Sequence, residues 1–318
     1  MYPLKFEKIL KEKIWGGDSF YKVLEFECDL TKKYGESWEV SCNKNGESVI
    51  SNGELKGKKL EDVIILYKEK LLGKDCFKRF NGKFPVLIKF LDINDKLSVQ
   101  VHPNDEYAEK NESDSGKTEG WYIIKSSKDS KLIAGVKNGT KKSEIIEKIN
   151  NKNYDFFNIV HPENGEFLFI APGTVHATVG GSLLIYEVQQ NSDTTYRLYD
   201  FDRLENGEKR ELHIKKALDV IDVNIKSELV SKFDTIKKEK ADILNLCSNN
   251  YFITNLIKTD GNFSQKNINF AVYSCVDGKF ELTGEFETVE IKKGETVLVP
   301  ALLEVEFRGI GEIIKSTV

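Results

Sequence analysis

From residue 84 to residue 190 the chain passes through a succession of short apolar or alternating segments, each closed by turn residues. They are FPVLIKFL (84–91), LSVQVH (97–102), GWYIIKS (120–126), KLIAGV (131–136), EFLFIA (166–171) and SLLIYEVQQ (182–190). Segments of this length at this spacing bury area as strands, and they predict an all-β barrel or sandwich rather than alternating βαβ units. Helical apolar spacing is confined to LEDVIILYKEKLL (60–72), KKSEIIEKI (141–149) and HIKKALDVI (213–221), so helices are expected to be few and short. The charged, unpatterned stretch SKFDTIKKEKAD (231–242) is the expected boundary between residues 1–230 and a second β unit, 231–318, where strand signals resume in YFITNLIKT, NFAVYSCVD, GKFELTG, TVLVPAL and EVEFRG. A weak repeat links the two units: GEFLFIAPGTVHA (165–177) and GETVLVPALLEVE (294–306) share a Gly-Glu start, an apolar run and a proline. Four residues past the proline stands His176 in the first copy and Glu304 in the second, and all four histidines precede residue 214. Only the first unit can use histidine as a ligand.

Composition narrows the partners. With 318 residues and 40% hydrophobic content the chain can build a packed core. A formal charge of −4 argues against a dedicated nucleic-acid binder, yet leaves room for a phosphorylated small molecule, which needs only a few local cations. The five cysteines are scattered and include no CxxC pair, the usage of reduced thiols rather than of a disulfide framework. The opening MYPLKFEKILKEKIWGG is charged throughout, and nothing approaches eighteen consecutive apolar residues; a cytoplasmic protein without a membrane partner is expected.

The segment DKLSVQVHPNDEYA (95–108) is the most pointed. Ser98, Gln100 and His102 alternate with Leu97, Val99 and Val101, so one face of the expected strand ranks a hydroxyl, an amide and an imidazole. By the same period of two, Lys117, Glu119 and Trp121 share a face in GKTEGWY, and His176 follows a proline-glycine turn in APGTVHATVGG. Two imidazoles and a carboxylate suit a catalytic zinc or another divalent transition metal, with the Gln100 amide as an additional neutral ligand. Each residue alone also has an ordinary reading, a strand histidine as a hydrogen-bonded rim residue and a strand glutamate as a solvated one. His161, in a turn-like context, and His213, at a helix start, are expected to be structural. In NSDTTYRLYDFDR (191–203) Thr195, Arg197 and Tyr199 alternate with Tyr196 and Leu198; Arg197 presents either a fork to an anion or a surface ion pair to Asp200 or Asp202. No GxGxxG fingerprint or P-loop accompanies these residues.

Taken together, KIWGG (13–17), ESWEVS (36–41), FPVLIKFLD (84–92), LSVQVHPND (97–105), GKTEGWYI (116–123), APGTVHA (171–177) and DTTYRLYDFDR (193–203) resemble type I mannose-6-phosphate isomerase (phosphomannose isomerase), in its shorter bacterial form, within the cupin superfamily. The resemblance implies two cupin-like jelly-roll barrels, the first catalytic and the second without a metal site. It implies one zinc per chain on Gln100, His102, Glu119 and His176, with Arg197 and Lys117 as catalytic residues and Ser98 and Lys89 lining the substrate pocket. The implied reaction interconverts mannose 6-phosphate and fructose 6-phosphate through a cis-enediol. Lys117, a metal-bound water or a glutamate are rival bases, and the chain is a monomer or homodimer. An iron(II) cupin oxygenase and a non-catalytic sugar-phosphate binder are the competing readings. Gly120, where a bulkier residue is common in the family, is expected to widen the pocket, and the glycines of KIWGG and the SWEVS strand are expected to be structural.

Overall fold

The structure, a computed structural model, describes residues 1–205 and 207–318. Its architecture is mainly β with short helices. A seven-stranded sheet has the order Leu229–Val230, Phe167–Ile170, Glu119–Ser126, Leu183–Gln190, Val86–Ile93, Ile9–Gly17, Tyr34–Val40. A five-stranded sheet has the order Phe157–Val160, Lys131–Val136, His176–Gly180, Val99–Val101, Tyr196–Tyr199. A core of Trp15, Leu91, Trp121, Ile123, Leu132, Ala134 and Ile185 draws side chains from both, so the two sheets pack face to face as an open sandwich.

Both outer faces are covered as well. Behind the five-stranded sheet, Val99, Val101 and Leu198 meet Ile145, Ile149, Ala217 and Ile221 from short helices. Behind the seven-stranded sheet, Ile88, Phe90, Tyr186 and Val188 pack on the helical residues Leu60, Val63 and Leu71 and on Phe252, Leu256, Val272 and Ile314 of the C-terminal sheet. All eight residues of Val86–Ile93 are therefore buried, which explains why VLIKFLDI reads as a nearly continuous apolar run rather than an alternating one. Tyr186 closes that layer with a polar contact, its hydroxyl lying 2.8 Å from Ser316 Oγ.

The C-terminal sheet has nine strands, among them the long Ala271–Gly284 and Glu304–Thr317. The charged, unpatterned stretch 231–242 holds the exposed edge strand Asp234–Lys237 and the start of Ala241–Ser248. Its charges are those of a solvated edge that resists further pairing. This sheet also takes in Leu4–Lys5, paired with Thr296–Val299. The two repeat copies are both strand, turn and strand, and His176 and Glu304 each open the second strand.

Helices depart from expectation in detail. The 60–72 segment breaks at Lys68, whose φ of +48° ends Leu60–Tyr67 before Glu69–Leu72 begins. Helix Asp105–Glu112 has no apolar periodicity to announce it, although its start signal is plain: the Asn104 side chain caps it by accepting the Tyr107 N–H, with Asp105 and Glu106 in the first turn.

Gly120 corrects an expectation outright. It points away from the space between the sheets, and a Cβ built on it would lie 2.5 Å from Phe167 Cζ and 3.3 Å from Val188 Cγ1. Glycine here admits the Phe167 ring to the rear core and does nothing to widen the interior. Gly120→Ala should accordingly destabilise by about 1–3 kcal/mol through overpacking, with ligand affinity unchanged; denaturant titration and calorimetric binding check the two halves of that outcome.

Candidate active site

Three neighbouring strands of the five-stranded sheet deliver a row of polar heads. Gln100 sits opposite His176 on one side and Arg197 on the other. Val99 and Val101 turn to the rear helices, so the alternation of LSVQVH sends Gln100 inward. The facing sheet supplies a second row, in which Glu187 pairs across with Trp121 on one neighbour and Lys89 on the next. Glu119 opens its strand one pleat from Trp121, and His102 follows the strand that ends at Val101.

At the centre lie His102, Glu119 and His176, with ligand atoms all within 4.8 Å of one another and side chains no more than 1% exposed. His102 donates its Nδ1–H to the Thr194 carbonyl (3.0 Å) and His176 donates its own to the Thr174 carbonyl (2.9 Å). Both Nε2 lone pairs therefore face Glu119, at 3.3 Å from Oε1 and 3.4 Å from Oε2. Acceptor faces acceptor, and His102 Nε2 and Glu119 Oε2 have no hydrogen-bond partner. Buried acceptors with no donor between them are costly; a divalent cation in that gap satisfies all of them, so the donor set fits a metal. Gln100 adds its amide, whose Nε2 lies 3.2 Å from His176 Nε2.

Electrostatics point the same way. Burial, helped by nearby Lys117, pushes the His102 imidazole down to about 3. His176 is lowered chiefly by burial too. Burial works to raise Glu119, but opposing charge, led by Lys117, holds the carboxyl well below its usual range. The ligands are thus kept in their metal-binding protonation states.

A cavity of about 290 Å³ opens beside this centre. Its cations are Lys13, Lys89, Lys117, Arg197 and Arg210, and its acids Glu36, Glu119, Glu187 and Asp193. Lys117 Nζ lies 2.9 Å from Glu119 Oε1, and Lys13 Nζ 3.1 Å from Glu36 Oε1. Lys89 donates to Gln189 Oε1 (2.7 Å), stands 3.6 Å from Glu187 Oε2 and lies against the Trp38 ring. Burial, with Glu119 adding to it, raises Glu187 to about 8 against the opposing pull of Lys89. Glu36 goes the other way, to about 2: burial opposes ionisation, but Lys89 and Lys13 prevail.

Arg197 differs from the cavity lysines. Among the described residues it makes no ion pair; Nε donates to Ser98 Oγ (3.3 Å) and Nη1 to the Glu211 carbonyl (2.9 Å). The surface ion pair considered for it goes to other cations, since Asp200 binds Arg203 and Arg210 while Asp202 binds Lys209. A register irregularity after Arg197 turns Tyr199 toward the rear helices, so it does not share the Arg197 face.

The structure therefore brings Ser98, Gln100, His102, Lys89, Lys117, Glu119, His176 and Arg197 into one neighbourhood. His161 is exposed and His213 precedes helix Ile214–Val220 without a side-chain cap. Sequence pattern alone does not single out Lys13, Glu36, Glu187 or Arg210. Glu187 carries a usable signal, because Ile185, Glu187 and Gln189 alternate as LSVQVH does. Lys13 and Glu36 show that the KIWGG and ESWEVS segments reach the cavity as well as shaping the scaffold.

Comparison with known proteins follows the same lines. Residues 4–119 match the family model "Phosphomannose isomerase type I, catalytic domain", and residues 242–318 match "Mannose-6-phosphate isomerase, cupin domain". The chain is 37% identical to mannose-6-phosphate isomerase ManA of Bacillus subtilis, covering 99% of this chain and 98% of that protein. It is 34% identical to mannose-6-phosphate isomerase of Streptococcus mutans over the same shares. The crystal structure of mannose 6-phosphate isomerase from Bacillus subtilis superposes with a TM-score of 0.90 at 31% identity, covering all of both chains. A metal-fitting triad beside a cation-rich cavity, on a fold shared from end to end with these proteins, places the chain in the type I mannose-6-phosphate isomerase family.

Proposed function

We propose that this chain is an aldose-ketose isomerase that interconverts mannose 6-phosphate and fructose 6-phosphate, with residues 1–230 as the catalytic unit and 231–318 as a second β unit without a metal site. The observation that carries the reading is the buried His102–Glu119–His176 cluster, with its unpartnered acceptors, at the wall of a cavity lined by an arginine that makes no ion pair among the described residues. The names of the full-length relatives support the choice of substrate.

Gln100, His102, Glu119 and His176 would hold one divalent ion, zinc in our reading. The Gln100 amide, turned by half a rotation, would offer its oxygen in place of Nε2. When bound, the ion would supply Lewis-acid polarisation of the sugar's C1 and C2 oxygens. The chain's own residues then have separable tasks. The reaction takes a proton from C2 of the open-chain aldose and returns it at C1, through a cis-enediol. Lys117, beside Glu119 and at the cavity wall, would carry that proton, taking it from C2 as the free amine once its own ammonium proton has passed to solvent. Its tie to Glu119 also fixes its position relative to the ligands.

The phosphate would go to the arginine end. Lys13, Lys89 and Lys117 each have a carboxylate within 4.0 Å, whereas Arg197 has none among the described residues. Arg210 shares Asp200 with Arg203, and Arg203 has Asp95 as a second carboxylate at 3.6 Å. Arg197 and Arg210, with the Ser98 hydroxyl between strand and guanidinium, would grip a dianion. Lys89, held by Gln189 and Glu187, would face the sugar hydroxyls.

A coupled assay for fructose 6-phosphate formed from mannose 6-phosphate, run with and without chelator, tests the reading. Turnover abolished by chelator and restored by zinc is expected; metal-loaded protein that binds the sugar phosphate without turnover would sink it. His176→Ala should lose both bound metal and activity, measured by elemental analysis beside the assay. Arg197→Ala should keep the metal and lose kcat/KM by about 10²–10³-fold. Arg210→Ala should raise KM about tenfold with kcat little changed, which steady-state kinetics on mannose 6-phosphate would show.

A further inference from the structure

Between His102 and Lys117 the chain leaves the sandwich for an excursion that contains helix Asp105–Glu112. It starts next to two of the candidate ligands and ends next to the third. Its base is closed by the Lys117 N–H, which donates to the Pro103 carbonyl (3.0 Å), and by Gly116, where a Cβ would lie 2.5 Å from Asp105 N.

Two carboxylates tie this excursion down, and neither forms an ion pair among the described residues. Asp114 Oδ2 accepts from Ser192 Oγ and Thr194 Oγ1, both at 2.9 Å, and the Thr194 carbonyl is the acceptor that orients His102. Asp105 Oδ1 accepts the Gly116 N–H (2.8 Å) and the Gln190 amide (2.9 Å); Gln190 Oε1 in turn accepts the Thr118 N–H (2.9 Å). The remaining oxygen, Oδ2, accepts a hydrogen bond from the hydroxyl of Tyr251, 2.6 Å away. Tyr251 belongs to the C-terminal sheet, in the turn between Ala241–Ser248 and Ile253–Thr259, where Asn249 Oδ1 fixes it by accepting its N–H (2.7 Å).

We infer that Tyr251 is a positioning residue for the catalytic cavity: its hydroxyl holds Asp105, and Asp105 holds the Gly116–Glu119 segment that presents Lys117 and Glu119. The physical basis is directional. A carboxylate with one oxygen committed to the Gly116 N–H and to the Gln190 amide, which itself holds the Thr118 N–H, keeps its plane only while the other oxygen is anchored, and a hydrogen bond to an ionised acceptor is among the stronger anchors available. Without the hydroxyl, Oδ2 turns to water, the carboxylate rotates, the Gly116 N–H loses its fixed partner, and so does the Gln190 amide that holds the Thr118 N–H. The C-terminal half would thereby act on the chemistry through one side chain, although the cavity lining runs only from Lys13 to Arg210.

The test uses the full chain with Tyr251→Phe. Tyr2→Phe serves as the control, because the Tyr2 hydroxyl is hydrogen-bonded too, to two backbone groups (Asn52 O at 3.0 Å, Leu55 N at 2.8 Å), but lies outside the cavity. Hydrogen exchange of metal-free protein should show amides 113–119 exchanging about tenfold faster in Tyr251→Phe and unchanged in Tyr2→Phe. In metal-loaded protein kcat should fall about tenfold with KM within about twofold, as expected when a reacting group is displaced without loss of substrate contacts. Unchanged exchange at 113–119, or acceleration spread evenly over the chain with kcat intact, would overturn the inference. Should Tyr251→Phe fail to fold, Asp105→Asn, which removes the charge at the hub, must give the same localised exchange; a uniform response there refutes it equally. The kinetic arm rests on the isomerase reading, but the exchange arm does not, so a chain without turnover would sink that reading and leave this one to be decided by exchange.

Discussion

Glu119 is held out of water with an imidazole nitrogen beside each oxygen and a lysine ammonium group against one of them. A lone carboxylate in such surroundings would take up a proton, since burial penalises the charge by several kcal/mol. Here the Lys117 ammonium is the leading charge that keeps it ionised, and backbone carbonyls take the Nδ1 protons so that the imidazoles offer lone pairs rather than N–H groups. Concentrated acceptor character of this kind is unfavourable by itself and becomes favourable with a cation. The rest of the architecture can be understood as what is required to hold these side chains together.

No single sheet contains the cluster. Gln100 and His176 project from one sheet and Glu119 from the other, so the distance between sheets sets the size of the ligand gap. That spacing is governed by the apolar layer of Trp15, Leu91, Trp121 and Leu132 next to the polar one. Trp121 serves both layers, with its ring edge-on to His176 at 5.7 Å between centroids. Heads mounted on paired strands and packed from behind by helices and the C-terminal sheet have little freedom to drift, which is the condition for directional metal and substrate contacts.

Much of this is legible in the sequence, for a physical reason. A two-residue period states which heads share a face, so LSVQVH and KTEGW by themselves point to Gln100 and Glu119. The Pro-Gly turn before His176 marks where its strand begins. What the period cannot state is which of two covered faces is the functional one: it sets Gly120 opposite Glu119, but both sides of that strand are buried, and polarity does not separate the cavity from the rear core. Glu187 and Lys89 are similarly masked inside apolar runs. Arg210 belongs to a stretch with no periodicity, and its place in the cavity depends on Asp200, a tertiary contact. Helix Asp105–Glu112 carries a proper start signal but too little apolar content to stand out, because polar side-chain ties rather than a greasy face secure it.

The pairing of Leu4 with Leu298 joins points almost three hundred residues apart. The other side of Leu4–Lys5 is held locally, since the Lys5 carbonyl accepts the Ser51 N–H and Phe6 bridges Ile50, so only one edge of this short strand waits for the distant partner. That edge can pair only after Thr296–Val299 has been made, which makes the closure strongly non-local. A chain that lacked Thr296–Val299 would leave the backbone groups of that edge open to another strand.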